Sequence, residues 1–284
     1  MVSLRWPYIE GPSIWGAKTS AYEFCEMDFY MTPYVAEFVN TLTNLGYIYL
    51  GVRGIKNSRR GGNDSVVNLC YSMLVFLGAG SAAYHLNIKH ETQMLDEVSM
   101  LFTTISILYG AFSITLGSDA RIALATLLTG VALLISVNHV VVGDVERFRL
   151  WFLFLVLGTF AQCVWLLSAK VPNIKVKREA QQLATYGTVA FVTAFILWNI
   201  DNEFCDELTS FRNGLGIPWG FVTELHGWWH LLTGLAVYYY IVFVERLRLY
   251  IKSTTAKRSG AIQAKLVWSG ALTLPQIEMS AKED

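Results

Sequence analysis

The stretch Thr223-Glu224-Leu225-His226-Gly227-Trp228-Trp229-His230 opens an apolar run that continues to Val244, and it carries two histidines four positions apart. On a helix that spacing sets both imidazoles on one face, with Cβ atoms about 5 to 6 Å apart, a distance that one metal ion bridges. Two nitrogens alone make a weak site. A third stands at the end of another apolar run, Ser81-Ala82-Ala83-Tyr84-His85, with Asp96 a short way beyond. Three histidines with one position left for water are the ligand set of a hydrolytic zinc centre, so the fold has to bring these segments to one level.

The composition says what kind of fold that is. Hydrophobic residues make up 54% of the 284 and charged residues 15%, against about 25% charged in an ordinary soluble domain. Several runs with few or no charges reach about 20 residues, the length with which an α-helix crosses a hydrocarbon core of about 30 Å. The expected class is all-α: a polytopic membrane protein of one domain. Twenty-two basic residues balance 22 acidic ones, which leaves no electrostatic footprint for nucleic acid, and no protein partner is indicated. The first thirty residues lack a basic stretch followed by an apolar core, so no cleaved signal peptide is expected and the first span directs insertion.

Seven spans are expected, at about 34–52, 65–86, 97–116, 122–142, 150–169, 183–200 and 221–244. They divide the chain into an N-terminal segment 1–33, a transmembrane domain 34–245 and a basic tail 246–284 that includes Arg246, Arg248, Lys252, Lys257 and Arg258. Sixteen lysines and arginines fall on the side of the first loop and the tail, and six on the side of the N-terminus. The positive-inside rule then makes the N-terminus lumenal and the tail cytosolic. In that orientation His85 ends an outward span, while His226 and His230 begin an inward one at the same depth, and Asp96 joins them there. The competing reading makes His226 and His230 interfacial residues beside Trp228 and Trp229 in an aromatic belt. Glu37, with Asn40, Thr41 and Asn44, lies inside the first span, where a carboxylate must face the protein interior and find a partner.

Neutral imidazoles leave zinc its charge, which suits attack on an amide or ester. Asp96 is the carboxylate in reach and is assigned the proton transfers. Ser81, four residues before His85, shares its helix face and is placed to donate to an oxyanion; the plainer reading bonds its hydroxyl back to its own helix. A metal at the bilayer edge among apolar helices points to a lipid substrate with its scissile bond just below the head group. Tyr84, Trp228 and Trp229 are candidates to line the entry, while His90 and His139 stay outside the ligand set.

Cys70 and Cys163 fall within apolar spans and read as buried thiols. Cys25 and Cys205 share the outer compartment, where a disulfide is expected if that compartment is oxidising. The outer acids Glu23, Glu26, Asp28 and Glu37 supply hard oxygen ligands of the kind calcium takes. They do not follow the EF-hand spacing, and from composition alone a solvated acidic segment competes with a calcium site.

The segments WGAKTSAYEFCEMDFYMTPYVAEFVNTLTNL, SAAYHLNIKHETQMLDE, LWNIDNEFCDEL and ELHGWWHLLTG together resemble the alkaline ceramidases, over nearly the whole chain from Trp15 to Arg248. The family is related to the adiponectin receptors. The resemblance implies a zinc-dependent amidohydrolase of the endoplasmic reticulum or Golgi that cleaves ceramide to a sphingoid base and a fatty acid. Its zinc ligands fall on His85, His226 and His230, its serine on Ser81 and its aspartate on Asp96. Its calcium site falls on Glu23, Phe24 through the backbone carbonyl, Glu26, Asp28 and Glu37, and its disulfide on Cys25 and Cys205. Glu23, Phe24 and Asp28 replace the Asp, Trp and Asn of the mammalian pattern, changing the length and charge of that site. Fungal members resemble the chain in the N-terminal aromatic segment, which implies phytoceramide or dihydroceramide as substrate. The alternative is an adiponectin-receptor-like receptor or scaffold with a structural zinc, which has no need of a carboxylate beside the metal.

Overall fold

The computed structural model describes residues 8–255, 262–270 and 272–281; the first seven residues of the N-terminal segment, and Lys257, Arg258 and Lys282 of the tail, lie outside the described residues. Nine α-helices precede a β-hairpin among the described residues: α1 (Phe38–Thr43), α2 (Leu45–Arg60), α3 (Ser65–Asn87), α4 (His90–Phe112), α5 (Ser118–Val142), α6 (Val145–Ala169), α7 (Ile174–Glu203), α8 (Cys205–Leu215), α9 (Leu225–Thr255), β1 (Ile262–Ser269) and β2 (Leu274–Ala281). Six of them, α3 to α7 and α9, are long and apolar enough to cross a membrane by length and composition. The expected spans lie within or close to these helices, which run several residues further at one end or both.

The first expected span is different, because it is broken into α1 and α2 at Asn44. Its own side chains account for the break. The Thr43 hydroxyl donates to Val39 O at 2.9 Å, and the Asn44 amide donates to Asn40 O at 2.8 Å. Side chains that bond back to the preceding turn compete with the backbone ladder and bend the helix.

The chain folds as two compact units, one built from Met1–Leu50, Val75–Ser99 and Thr188–Ala236, the other from Gly51–Leu74, Met100–Gly187 and Val237–Asp284. In the first, the N-terminal segment is a strap closed on the end of α3. Helix α3 leaves terminal carbonyls without intrahelical partners, and the strap supplies donors: Ala36 N–H to Leu86 O and Glu37 N–H to His85 O, both at 2.9 Å. Phe29, Ala36, Tyr84 and Ile88 form a small apolar core beneath it. Gly11 lies so close to the strap's return that a Cβ there would sit 2.3 Å from Phe29 O.

The second unit holds the described residues of the expected basic tail. Helix α9 continues to Thr255, and Arg246 and Arg248 are buried along it, paired with Glu179 and Asp64. A hairpin then follows where an all-α fold was expected. Its strands pair antiparallel, with Leu266 opposite Ile277 and Val267 opposite Gln276. Leu274 and Ile277 are buried, Tyr238 Oη donates to Pro275 O at 2.8 Å, and Arg53 Nη2 donates to Ser269 O and Gln276 Oε1. Reading this segment by its charge hid a strand alternation of apolar and polar residues in Gln276-Ile277-Glu278-Met279.

Asp64, in the turn before α3, receives Arg248 Nε at 2.9 Å and Lys252 Nζ at 2.6 Å. Burial by itself would raise its carboxyl, but the hydrogen bonds and charges of Arg248 and Lys252 win and bring it down from 3.8 to about 2. A folded-state value below the unfolded one gives stability that is present above pH 3.8 and lost as pH falls toward 2, amounting to about 2 kcal/mol here. The stability gap between the wild type and Asp64→Asn should therefore be widest above pH 4 and close near pH 2 in denaturation series in detergent.

Candidate metal centre

Two helices deliver the histidines. His85 stands in the last turn of α3, and His226 and His230 in the first two turns of α9. The start of α9 needs acceptors for its free N–H groups, and Asp201, buried near the end of α7, supplies one: its Oδ1 accepts from His226 N–H at 3.3 Å. All three imidazoles are buried, and one ligand nitrogen from each lies within 4.8 Å of the others. Among the described residues this is the one set of three or more His, Cys, Asp or Glu gathered so tightly.

Hydrogen bonds fix which nitrogens are free. His85 Nδ1 meets Glu37 Oε2 at 2.5 Å, and Asn40 Nδ2 donates to the same oxygen at 2.8 Å. Nδ1 therefore carries the proton, and His85 Nε2 is buried with no hydrogen-bond partner. His230 Nδ1 lies 3.0 Å from Thr43 Oγ1, whose own hydrogen goes to Val39 O. That assigns the proton to His230 Nδ1 and leaves its Nε2 as the lone-pair nitrogen. His226 Nδ1 is also buried without a partner. A buried imidazole nitrogen left unpaired is costly, whereas a metal-ligating histidine donates its other N–H to a carboxylate or hydroxyl as His85 and His230 do. The donor set thus fits a divalent, nitrogen-loving ion.

Ser81 lies one turn before His85 on α3, and Asp96 in the second turn of α4. The helices approach closely at Gly80, where a Cβ would come within 3.2 Å of Leu95 O and Ser99 Oγ. The Ser81 hydroxyl and the Asp96 carboxylate are neighbours across this approach.

The outer acids are arranged less simply. Glu26 is buried, and its two oxygens accept from Val39 N–H at 2.6 Å and Asn40 N–H at 2.8 Å, capping α1 in place of Glu37. Burial, and after it the Glu37 charge, push Glu26 up to about 8; burial, with Glu37 next and against the pull of Lys18, pushes Asp28 up to about 6. The charged forms of these acids are thus disfavoured where they stand, and a bound cation would favour them. Geometrically they stop short of a cage: the Glu23 side chain is 83% exposed, and Lys18 Nζ sits 3.3 Å from Glu23 and 3.5 Å from Asp28. The segment matches calcium in charge, and Lys18 occupies ground that the ion would need.

Cys25 and Cys205 are joined by a disulfide, as expected. Around it lies a buried polar cluster that spacing alone does not show. Asp201 Oδ2 accepts from Cys25 N–H at 3.4 Å, and Arg212 Nη1 donates to Cys25 O at 3.0 Å while its Nε pairs with Glu224 at 3.0 Å. Asp201, one residue beyond the sixth expected span, stands within α7, and the connection after it forms α8. Glu37, Thr43, Asp201 and Arg212 are positioning residues of the site. The first two could be sought from the polar residues of span one, where Glu37 was already owed a partner. Tyr84 packs 5.0 Å from His85, Trp229 packs on Phe191 and Trp198, and Trp228 remains 40% exposed. His139 is stacked on Phe148 in the other unit, and His90 begins α4.

Losing an orienting partner of a ligating histidine typically costs metal affinity about 10- to 100-fold. Glu37→Ala and Thr43→Val should each show that loss in chelator competition with purified protein, whereas Ser81→Ala should keep wild-type metal affinity.

The comparisons with known proteins agree with this geometry. The sequence profile described as Ceramidase matches residues 16–278. The chain is 28% identical over 289 aligned residues to alkaline ceramidase YPC1 of Saccharomyces cerevisiae, covering 94% of this chain and 90% of that protein. It is 29% identical over 248 residues to alkaline ceramidase 3 of Mus musculus, covering 87% and 91%, and 24% identical over 229 residues to an alkaline ceramidase of Arabidopsis thaliana, covering 80% and 83%. A profile match over nearly the whole length, ending inside β2, shows that this chain belongs to the ceramidase family of amide-hydrolysing enzymes.

Proposed function

We propose that this protein is an intramembrane zinc amidase that cleaves ceramide to a sphingoid base and a free fatty acid. The observation that carries the reading is the buried histidine trio with orphaned nitrogens, set beside the Ser81–Asp96 pair. Zinc, when bound, lowers the pKa of its water toward about 7 and polarises the amide carbonyl. His85, His226 and His230 hold it, and Asp96 takes the proton from the attacking water and hands it to the leaving nitrogen. The Ser81 hydroxyl, turning from Asp96 to the carbonyl oxygen as that oxygen gains charge, stabilises it and at the same time frees Asp96 to accept.

In this reading α1 and α2 together make a seventh crossing, with the N-terminus lumenal and the C-terminus cytosolic. The enzyme resides in the endoplasmic reticulum or Golgi membrane, where an oxidising lumen suits the Cys25–Cys205 bond. Phytoceramide or dihydroceramide is the preferred substrate, by the resemblance of the N-terminal aromatic segment to fungal members of the family. Calcium is a structural ion of the strap, held by Glu26, Asp28 and Glu37 with the Phe24 carbonyl and Glu23 once Lys18 withdraws, and it takes no part in the chemical step.

The test is metal content and product analysis on purified protein. His85→Ala, His226→Ala and His230→Ala should lose zinc and hydrolysis together. Asp96→Ala should keep zinc and lose turnover by about 10²- to 10⁴-fold; an Asp96→Ala protein that hydrolyses ceramide at the wild-type rate rejects the mechanism and favours a receptor with a structural metal. Lys18→Gln should bind calcium more tightly in titration calorimetry, since no ammonium then competes for Glu23 and Asp28.

A further inference from the structure

Phe24 enters the reading above only through its backbone carbonyl, yet its side chain reaches the metal centre. The ring centroid lies 3.9 Å from that of His226, 5.3 Å from that of His85 and 6.2 Å from that of Tyr84. The ring is half-buried, so part of it is covered by neighbours and part stays open. The backbone around it is pinned: Ala21 N–H donates to Gln93 Oε1 at 2.7 Å, and Cys25 is held at its N–H by Asp201, at its carbonyl by Arg212 and at its sulfur by Cys205. The main chain that carries the ring is therefore held in place. The ring offers no hydrogen-bond donor or acceptor, so what it gives a bound molecule is shape and the exclusion of water.

We infer that Phe24 is a specificity-determining residue, an apolar wall over His226 and His85 that sets how much bulk next to the scissile amide the centre admits. The inference rests on the zinc amidase reading for its substrate. A group bound at the metal on that side meets the ring edge, and removing or enlarging the ring changes the clearance by the volume of several methylene groups. One methylene in an apolar pocket already discriminates about 10- to 200-fold. Substitution at Phe24 keeps the backbone carbonyl and leaves Asp96, Ser81 and the three histidines in place, so it changes the space and not the chemistry.

The experiment compares wild type, Phe24→Ala, Phe24→Leu and Phe24→Trp in detergent. One arm measures kcat/KM for dihydroceramide and for the same lipid carrying a methyl branch at the acyl α-carbon. Phe24→Ala and Phe24→Leu should raise the branched-to-unbranched ratio by about tenfold or more and Phe24→Trp should lower it, with zinc content equal to wild type. Leu guards against Ala misfolding, and a purely structural role would lower both substrates together and leave the ratio unmoved. A second arm loads cobalt and titrates acetohydroxamate and benzohydroxamate, following the visible spectrum of the metal. Phe24→Ala should favour the bulkier chelator relative to wild type. If no lipid is hydrolysed by any form, the amidase reading fails while the cobalt arm still tests the wall. Ratios within twofold of wild type in both arms, or loss of metal from the Phe24→Leu protein, overturn the inference.

Discussion

A carboxylate placed among apolar helices is costly unless something pairs with it, and Glu37 meets that demand through His85. The same residue donates its backbone N–H to His85 O. Backbone and side chain of one residue thus grip backbone and side chain of another. The backbone contact closes α3, and the carboxylate accepts from Nδ1–H, which leaves Nε2 as the lone-pair nitrogen. Without the carboxylate the imidazole would have no fixed tautomer. The remaining parts of the first unit build on it: Asn40 shares the carboxylate, and Thr43, one turn further on, sets His230 in the same way.

Helix ends are the second device. An α-helix begins with N–H groups that its own ladder cannot satisfy, and this chain satisfies two such ends with acids from elsewhere in sequence. Glu26 serves α1, and Asp201 serves α9. Asp201 also accepts from Cys25 N–H, and Arg212, itself buried and paired with Glu224, takes the Cys25 carbonyl. A buried ion pair contributes little net stability once desolvation is counted, yet removing one partner strands the other. Its value here lies in placement. It fixes the strap and the segment before α9 to each other within a residue of Phe24 and two residues of His226.

The sequence made one layer of this legible. Two histidines four apart, a serine one turn before a third histidine, and an aspartate beyond a short connection are periodic facts, and the chain brings the three histidines together. The runs that became α3 to α7 and α9 were visible because apolar length is what a bilayer selects. Three things were hidden, each for a physical reason. The break at Asn44 depends on side chains bonding back to their own helix, which composition does not report. Asp201 appeared to be a loop acid because charge near a span end reads as solvent, whereas its burial depends on a helix start 24 residues later. The hairpin was hidden because Arg246 and Arg248 made the tail look solvated, while their partners Glu179 and Asp64 are remote in sequence. Contacts between remote residues carry the missing information in every case.

The polar first span follows from the same logic. The segment that orients His85 and His230 carries Glu37, Asn40, Thr43 and Asn44, and it is broken into α1 of 6 residues and α2 of 16, neither long enough to count as a membrane span. Such a helix is stable in lipid only where other helices shield it, so the lipid-facing surface has to come from elsewhere. The chain divides the work accordingly. The apolar windows of α5, α6 and α7 are 11%, 22% and 17% buried, and those of α4 and α9 are 61% and 56%. Exposed Leu134, Val141, Phe154 and Ile196 meet hydrocarbon at little cost. Asp96, His226 and His230 ride on the shielded helices α4 and α9. The helices of highest mean hydropathy, α5 and α6, supply none of the site's side chains, while α3, α4 and α9, which read less strongly as membrane spans, carry Ser81, His85, Asp96, His226 and His230.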